Sequence, residues 1–278
     1  MTALPIPEIE LNDGNRIPQL GLGVFKLDTQ ETERIVSEAL EAGYRHIDTA
    51  FIYRNETGVG RAIAASGIPR DEIFVTTKLW NTDHEDPRAA IEGSLERLGL
   101  DRLDLFLIHW PMPMLGTALG AWRNMVQLLG AGLTTSIGVS NFEVEHLREL
   151  HEETGVVPAV NQVELHPLHQ RRELRAYCQA NGIAVEAWGP LSQGKSDLLR
   201  RPVVTNAGVV HGKSPAQIVL RWHVQHGTIV IPKTSRKKRL SENADIFDFV
   251  LSDAQMAAID ALDAQQNFGP DPRTFDVL

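Results

Sequence analysis

Short runs rich in β-branched and other apolar residues recur along this chain at 21–25, 44–50, 73–78, 104–109, 136–140, 159–165, 184–191 and 228–233. Most are near-continuous apolar stretches rather than alternations, the pattern of strands buried on both faces of a parallel sheet. Between them lie segments such as 29–42, 86–98, 143–154, 171–181 and 215–226, with apolar residues three and four apart, as on the buried face of a helix. Strand starts are spaced by about 30 residues, the length of one βα unit. Eight such units predict an α/β protein, a closed (β/α)8 TIM barrel. An open doubly wound sheet is the alternative that strand count alone leaves standing. The runs 8–11 and 16–19, joined by Asn12-Asp13-Gly14-Asn15, predict an N-terminal β-hairpin placed to plug the barrel bottom. A further helix is expected over 252–262, and 264–278, rich in Asp, Gln, Pro and Gly, reads as a short C-terminal loop. No linker interrupts the pattern, so 1–278 is expected to form one domain.

Composition narrows the function. A chain of 278 residues can bury roughly three quarters of its unfolded surface. Its net charge of -9 argues against a protein that tracks nucleic-acid phosphates, so any anion site must come from a local cluster. The single Cys178 can form no internal disulfide, and MTALPIPEIE has neither a basic start nor an apolar signal run. Charged, Pro or His residues punctuate every hydrophobic stretch before it reaches the ~18 residues of a membrane span. A cytoplasmic protein is expected, and a monomer, since nothing in the pattern signals an oligomer.

A barrel carries its active site at the C-terminal ends of its strands. Asp48 ends YRHID, Tyr53 follows in the next loop, Lys78 ends IFVTTK and His109 ends DLFLIH. Each alone has a bland reading as a turn cap, a packed ring, a snorkelling lysine or a core histidine. Together they bring an acid, a cation and an imidazole into one mouth beside a phenol. A phenol has an ordinary pKa of about 10 and needs a nearby positive charge to protonate a developing alkoxide. Lys78 can supply that charge, Asp48 can hold the ammonium, and His109 can orient a carbonyl oxygen. The carbonyl carbon would then have to receive a hydride, which no side chain carries, so a nicotinamide cofactor is implied.

GYRHIDTAFIYRNE, VTTKLW, DLFLIHWP, SIGVSNF, AVNQVELHP, AWGPLSQGK and IPKTSRKKRLSEN occur in that order along nearly the whole chain, which resembles the aldo-keto reductase family. The resemblance implies a tetrad of Tyr53 as general acid with Asp48, Lys78 and His109, and NADPH extended across the barrel mouth. It implies that Ser140, Asn141 and Gln162 hold the nicotinamide carboxamide and that Trp188 stacks on the ring. Gly189, Leu191, Ser192 and Gln193 would lie beside the pyrophosphate. Five cations fall within seven residues at Lys233, Arg236, Lys237, Lys238 and Arg239. The resemblance directs Lys233, Thr234, Ser235, Arg236 and Arg239 to the adenosine 2'-phosphate and Glu242 and Asn243 to the adenine, hence NADPH over NADH. Phe25, Phe51, Trp80 and Trp110 flank the tetrad in sequence and are expected to wall a substrate pocket. Within the family the chain is most similar to bacterial 2,5-diketo-D-gluconate reductases, departing from them at Phe51, Arg54 and FGPDPRTF. That sugar acid, methylglyoxal, other α-dicarbonyls and simple aldehydes are the substrates to weigh, taken by a mouth without long lids.

Competing patterns are weaker. GPLSQGKS matches the form of a phosphate-binding P-loop, yet Pro190 removes an amide donor, Pro202 is expected to cut short the following helix, and no strand ends in a clear magnesium-binding Asp. No stretch fits the dinucleotide fingerprint, because Ile63 stands where Gly58-Val59-Gly60 would need a third glycine. Lys78 could instead be a Schiff-base nucleophile, as in an aldolase, or the barrel could bind NADPH as a sensor or structural subunit without turnover. His166 and His169 in ELHPLH lack a convincing third ligand, so no metal is expected.

Overall fold

The computed structural model describes residue 4 and residues 6–278; Met1 to Ala3 and Pro5, part of the run read for a leader, lie outside the described residues. Strands β1 (Glu8–Glu10) and β2 (Arg16–Pro18) form the expected antiparallel hairpin. Eight strands follow in one parallel sheet, in chain order: β3 (Leu22–Gly23), β4 (His46–Asp48), β5 (Phe74–Leu79), β6 (Leu103–Ile108), β7 (Thr134–Ser140), β8 (Val160–Glu164), β9 (Ala184–Trp188) and β10 (Ile229–Val230). Bridges from Leu20 to Val230 and from Gly23 to Lys233 join the first strand to the last. The Gly21 amide donates to the Val230 carbonyl and the Val230 amide to that of Gln19, both at 2.9 Å. The sheet therefore curls round on itself as a (β/α)8 barrel, and the open doubly wound alternative falls.

The paired strands are shorter than the apolar runs that announce them. Continuous hydrophobicity marks burial on both faces, whereas pairing ends where the backbone turns: Gly189, at φ 60°, stops β9, and Pro232 follows soon after β10. Helices α1 (Thr29–Glu41), α2 (Glu56–Ser66), α3 (Pro87–Leu98), α4 (Ala118–Gly130), α5 (Val144–Thr154), α6 (Arg172–Ala180), α7 (Pro202–His211) and α8 (Pro215–Gln225) lie between and around the strands. Local chemistry sets their starts. Asp28 accepts from the Glu31 amide at 2.8 Å, and Ser214 and Gln217 form a reciprocal capping box with Pro215 in the first turn. Helix α9 (Lys237–Ala244) follows the last strand, and α10 (Asp253–Asp260) fills most of the segment expected from 252–262. Pro202 opens α7 in place of cutting a helix short, since proline suits a first helical turn.

Strand parity divides the core. On β6, Phe106 and Ile108 face the helices in the larger apolar cluster, while Leu105 and Leu107 point into the barrel. There they join Leu11 and Ile17 of the hairpin with Phe74, Val160 and Ile229, so the hairpin does plug the bottom. The same inward parity continues upward to Lys78, His109, Gln162 and Trp188. The barrel interior is apolar at its base and polar at its mouth.

Closure depends on close approach at the seam. A Cβ on Gly23 would stand 2.9 Å from the Ile231 carbonyl oxygen, a backbone atom that cannot move aside without parting the edge strands. Gly23→Ala is expected to cost about 1–3 kcal/mol as overpacking, read as a lower urea midpoint at unchanged slope.

Candidate active site

The mouth is built around one ammonium. Lys78, fully buried at the end of β5, donates to Asp48 Oδ1 and Oδ2 at 2.8 Å each and to the Thr49 carbonyl at 2.7 Å. The two carboxylate oxygens lie too close together to take separate hydrogens of one ammonium, so they share one, the Thr49 carbonyl takes a second, and the third is left for Tyr53, whose pKa a hydrogen bond with Lys78 lowers. Burial works against the Lys78 ammonium, but Asp48 first, with Tyr53 and Glu186, together outweigh it and hold its pKa above the ordinary lysine value. Lys78 Nζ also lies 5.2 Å from the centre of the Tyr53 ring.

Tyr53 is carried by a one-turn 3-10 helix, Phe51–Tyr53, closed by Arg54 in the left-handed region at φ 56°. Burial raises the phenol's pKa, and the Lys78 charge pulls it back down. The Tyr53 ring is 5.9 Å from that of His109, edge to face, and 4.9 Å from that of Phe25. Burial, then the Lys78 charge, pushes the His109 pKa well below the usual histidine value, so the ring is neutral near pH 7. Its Nδ1 is buried without a protein partner. A neutral imidazole beside a phenol and an ammonium can bind and polarise a carbonyl oxygen.

Gln162 extends this group. Its Nε2 donates to Asp48 Oδ2 at 2.8 Å and to Glu186 Oε2 at 2.7 Å, which uses both amide hydrogens and leaves the amide oxygen as an acceptor. Ser140 Oγ donates to the Gln162 carbonyl at 2.8 Å. Asn141, strained at φ 65°, donates to the His109 carbonyl at 3.0 Å and accepts from Trp188 Nε1 at 2.8 Å. The structure thus brings Asp48, Lys78, His109, Ser140, Asn141, Gln162 and Trp188 to one place and ties them to one another.

Of the expected pocket residues, Trp80 packs edge-on against His109 at 5.2 Å and Trp110 lies nearly parallel to it at 6.4 Å. Phe25 is half exposed at the rim. The Phe51 ring meets the Arg97 guanidinium of α3 at 4.7 Å. Sequence reasoning did not find Phe275, whose ring meets Trp110 at 4.2 Å. No local pattern marks it, because the contact is made by the tail. Glu164 anchors that tail by accepting from the Phe268 and Gly269 amides at 2.8 Å, and the Asn81 side chain accepts its end by donating to the Val277 carbonyl at 2.7 Å. His166 spends itself on Glu164 at 3.2 Å, and no cluster of metal-binding residues occurs among the described residues.

The loop after β9 has unusual backbone. Gly189, Ser192 and Gln193 all take positive φ, at 60°, 55° and 53°, and the buried Ser192 Oγ has no partner. Leu191 is half-buried beside them. No helix follows at once, as a P-loop requires; α7 begins only at Pro202. Across the mouth, Lys233, Arg236, Lys238 and Arg239 are exposed and have no ion-pair partner among the described residues, whereas Lys237 pairs with Glu41 at 3.4 Å. Thr234 Oγ1 accepts from the Arg236 amide at 3.0 Å, and the Ser235 carbonyl accepts from Arg34 at 3.0 Å. Glu242 accepts from Ser214 Oγ at 2.6 Å, and Asn243 is buried behind it on α9. A cavity of about 480 Å³ at the other end of the barrel is lined by charges of both signs, Arg16, Arg45 and Arg102 against Glu8, Asp71, Glu72 and Asp104.

Comparison with known proteins agrees with this geometry. Residues 19–264 match the model of the Aldo/keto reductase family. The chain belongs to that family. It is 54% identical over 272 residues to an aldo-keto reductase of Mycolicibacterium smegmatis, covering 97% of this chain and 98% of the relative. It is 50% identical to a methylglyoxal reductase DkgA of Yersinia pestis, covering 97% of each. A crystal structure of a Gox0644 variant in complex with NADPH superposes with a TM-score of 0.92 at 44% identity, covering 97% of this chain and 98% of that one. Among the described residues of this reductase, no helix is long and apolar enough to cross a membrane.

The ion pair at the mouth makes a sharp prediction. Lys78→Met leaves the Asp48 carboxylate buried and unpaired, and is expected to cost about 3–5 kcal/mol in chemical denaturation.

Proposed function

We propose that this chain is an NADPH-dependent carbonyl reductase of small aldehydes and α-dicarbonyls, with Tyr53 as the proton donor. The observation that carries the reading is the Lys78 ammonium, locked on Asp48 and held 5.2 Å from the Tyr53 ring centre beside a neutral His109. A positive charge at that place favours phenolate over phenol, so it makes Tyr53 a stronger acid than its burial alone would allow.

The residues present fit a nicotinamide dinucleotide. The Gln162 amide oxygen is available to accept from a carboxamide, and Ser192 Oγ is buried and unpartnered beside a loop of positive φ. The unpaired cations Lys233, Arg236, Lys238 and Arg239 suit a phosphate, which favours NADPH over NADH. When bound, the cofactor supplies the hydride. Trp188 offers its indole face, though its Nε1 is already committed to Asn141. His109 would hold the carbonyl oxygen in reach of the Tyr53 hydroxyl, which gives up its proton as charge develops on that oxygen. Lys78 would stabilise the phenolate left behind. The aromatic wall of Trp80, Trp110 and Phe275, with Phe25 at the rim, suits a small carbonyl compound, and similarity to methylglyoxal reductases supports an α-dicarbonyl.

A lysine that Asp48 holds protonated has no free electron pair to attack a carbonyl, which disfavours a Schiff-base aldolase. Initial rates of NADPH and NADH oxidation with methylglyoxal, 2,5-diketo-D-gluconate and an aromatic aldehyde test the proposal: turnover dependent on substrate and faster with NADPH is expected. Binding of NADPH without turnover on any carbonyl would leave a cofactor-binding barrel in its place. Tyr53→Phe should lower kcat by about 10²-fold or more while leaving NADPH affinity nearly unchanged. Arg239→Ala should weaken NADPH while sparing NADH, read as separate Kd values by fluorescence titration.

A further inference from the structure

Directly beneath the tetrad lies a second carboxyl group that the reaction as described does not use. Glu186, wholly buried on β9, accepts from Gln162 Nε2 at 2.7 Å, and the same nitrogen reaches Asp48 Oδ2 at 2.8 Å. Two carboxyl groups thus share one amide nitrogen, and the only cation among them, Lys78, is already spent on Asp48. With both ionised, the buried group would carry an uncompensated negative charge.

The histidine below settles where the proton goes. His46 Nδ1 lies 3.3 Å from the Pro18 carbonyl oxygen, which can only accept, so Nδ1 carries the hydrogen. Burial pushes the His46 pKa down to about 3, so its Nε2 is unprotonated and can only accept. That atom lies 3.5 Å from the Thr76 hydroxyl and 3.5 Å from Glu186 Oε1, an oxygen with no hydrogen-bond partner. An ionised carboxylate there would set two acceptors against each other. A protonated Oε1 removes the conflict.

We propose that Glu186 is a positioning residue of the reduction, held as a neutral carboxylic acid so that the Lys78 charge acts undiminished on Tyr53. The inference rests on the reading of Tyr53 as proton donor. Burial first, and the Asp48 charge second, raise the Glu186 pKa to about 8. The titratable groups facing it among the described residues are His46 and Asp48 on β4, Lys78 on β5 and Tyr53 in the turn beyond β4; β8 adds Gln162, and β10 pairs the apolar Ile229 beside it. Ionised, Glu186 raises the Tyr53 pKa and opposes Lys78. A weaker acid protonates the substrate oxygen more slowly, so reduction should slow as pH rises through about 8.

Glu186→Gln keeps an oxygen for Gln162 and a donor for His46 but cannot ionise. With saturating NADPH and methylglyoxal, wild-type kcat is expected to fall roughly threefold or more between about pH 7 and pH 9.5, and the variant's by less than about twofold. Stability gives a readout independent of turnover. The folded-state pKa of Glu186 lies above its unfolded value, so its contribution is full at low pH and is lost as pH rises through about 8. The wild-type Tm should therefore drop relative to the variant from about pH 4.5 up to about pH 8 and run parallel to it above. If the variant does not fold, infrared difference spectra of the wild type should show a protonated carboxyl band that titrates near pH 8; a spectrum unchanged there overturns the inference. An active wild type whose pH profile and Tm trend coincide with the variant's overturns it alone. A wild type without turnover on any carbonyl overturns the reading of Tyr53 and this inference with it.

Discussion

Putting a lysine ammonium inside a barrel costs several kcal/mol in lost hydration, and the mouth of this one is organised around meeting that cost. Lys78 can be buried only because β4 lies directly beside β5, in a register that pairs Asp48 with Thr76. Two residues further along β5 brings Nζ onto both carboxylate oxygens, with the Thr49 carbonyl taking another hydrogen. Any slip of that register by one residue would turn Lys78 outward to the helices and leave Asp48 alone. The chemistry of the site is therefore fixed by strand pairing before any loop is placed.

The same logic runs around the mouth. Gln162 pairs in register with both Ser140 and Glu186, so three neighbouring strands deliver a hydroxyl, an amide and a carboxyl at one level. Most polar groups there spend their hydrogens on one another, and what remains open is a small set: the Gln162 amide oxygen, His109 Nδ1 and Glu186 Oε1. Such mutual locking holds a reactive geometry without help from substrate. Loops contribute the less rigid parts, the Tyr53 turn with Arg54 in the left-handed region and the Ser192-Gln193 turn after β9.

Much of this was legible in the chain. Asp48, Lys78 and His109 each end an apolar run, and a barrel has one end at which such residues meet. The hairpin was marked by Asp13-Gly14, and its two strands pair as the alternation of Ile9 and Ile17 requires. What was not legible depends on parity or on distance. Glu186 lies two residues before Trp188 and so points to the same inward side, but a single acid within AVEAW reads as part of a buried strand unless the parity is traced. His46 stands in the same relation to Asp48. Phe51 stands two residues before Tyr53 yet turns to Arg97, since residues two apart in a 3-10 turn still diverge by a third of a circle. Phe275 reaches Trp110 only because Glu164 and Asn81 hold the tail, contacts that no local pattern encodes.

The barrel mouth and the cationic cluster beyond β10 obey opposite electrostatic rules. In the mouth, buried charge is permitted only in neutral sums, and every added carboxyl must be paired or protonated. In the cluster, Lys233, Arg236, Lys238 and Arg239 stand in water, where four unpaired cations cost little. Their attraction for a dianionic phosphate is screened by salt, but it acts against a chain whose net charge is -9. A net-acidic chain repels anions on average, so a cluster of unpaired cations at the end of β10 stands out against it. Binding there can respond to ionic strength while the reacting groups, shielded within the barrel, do not.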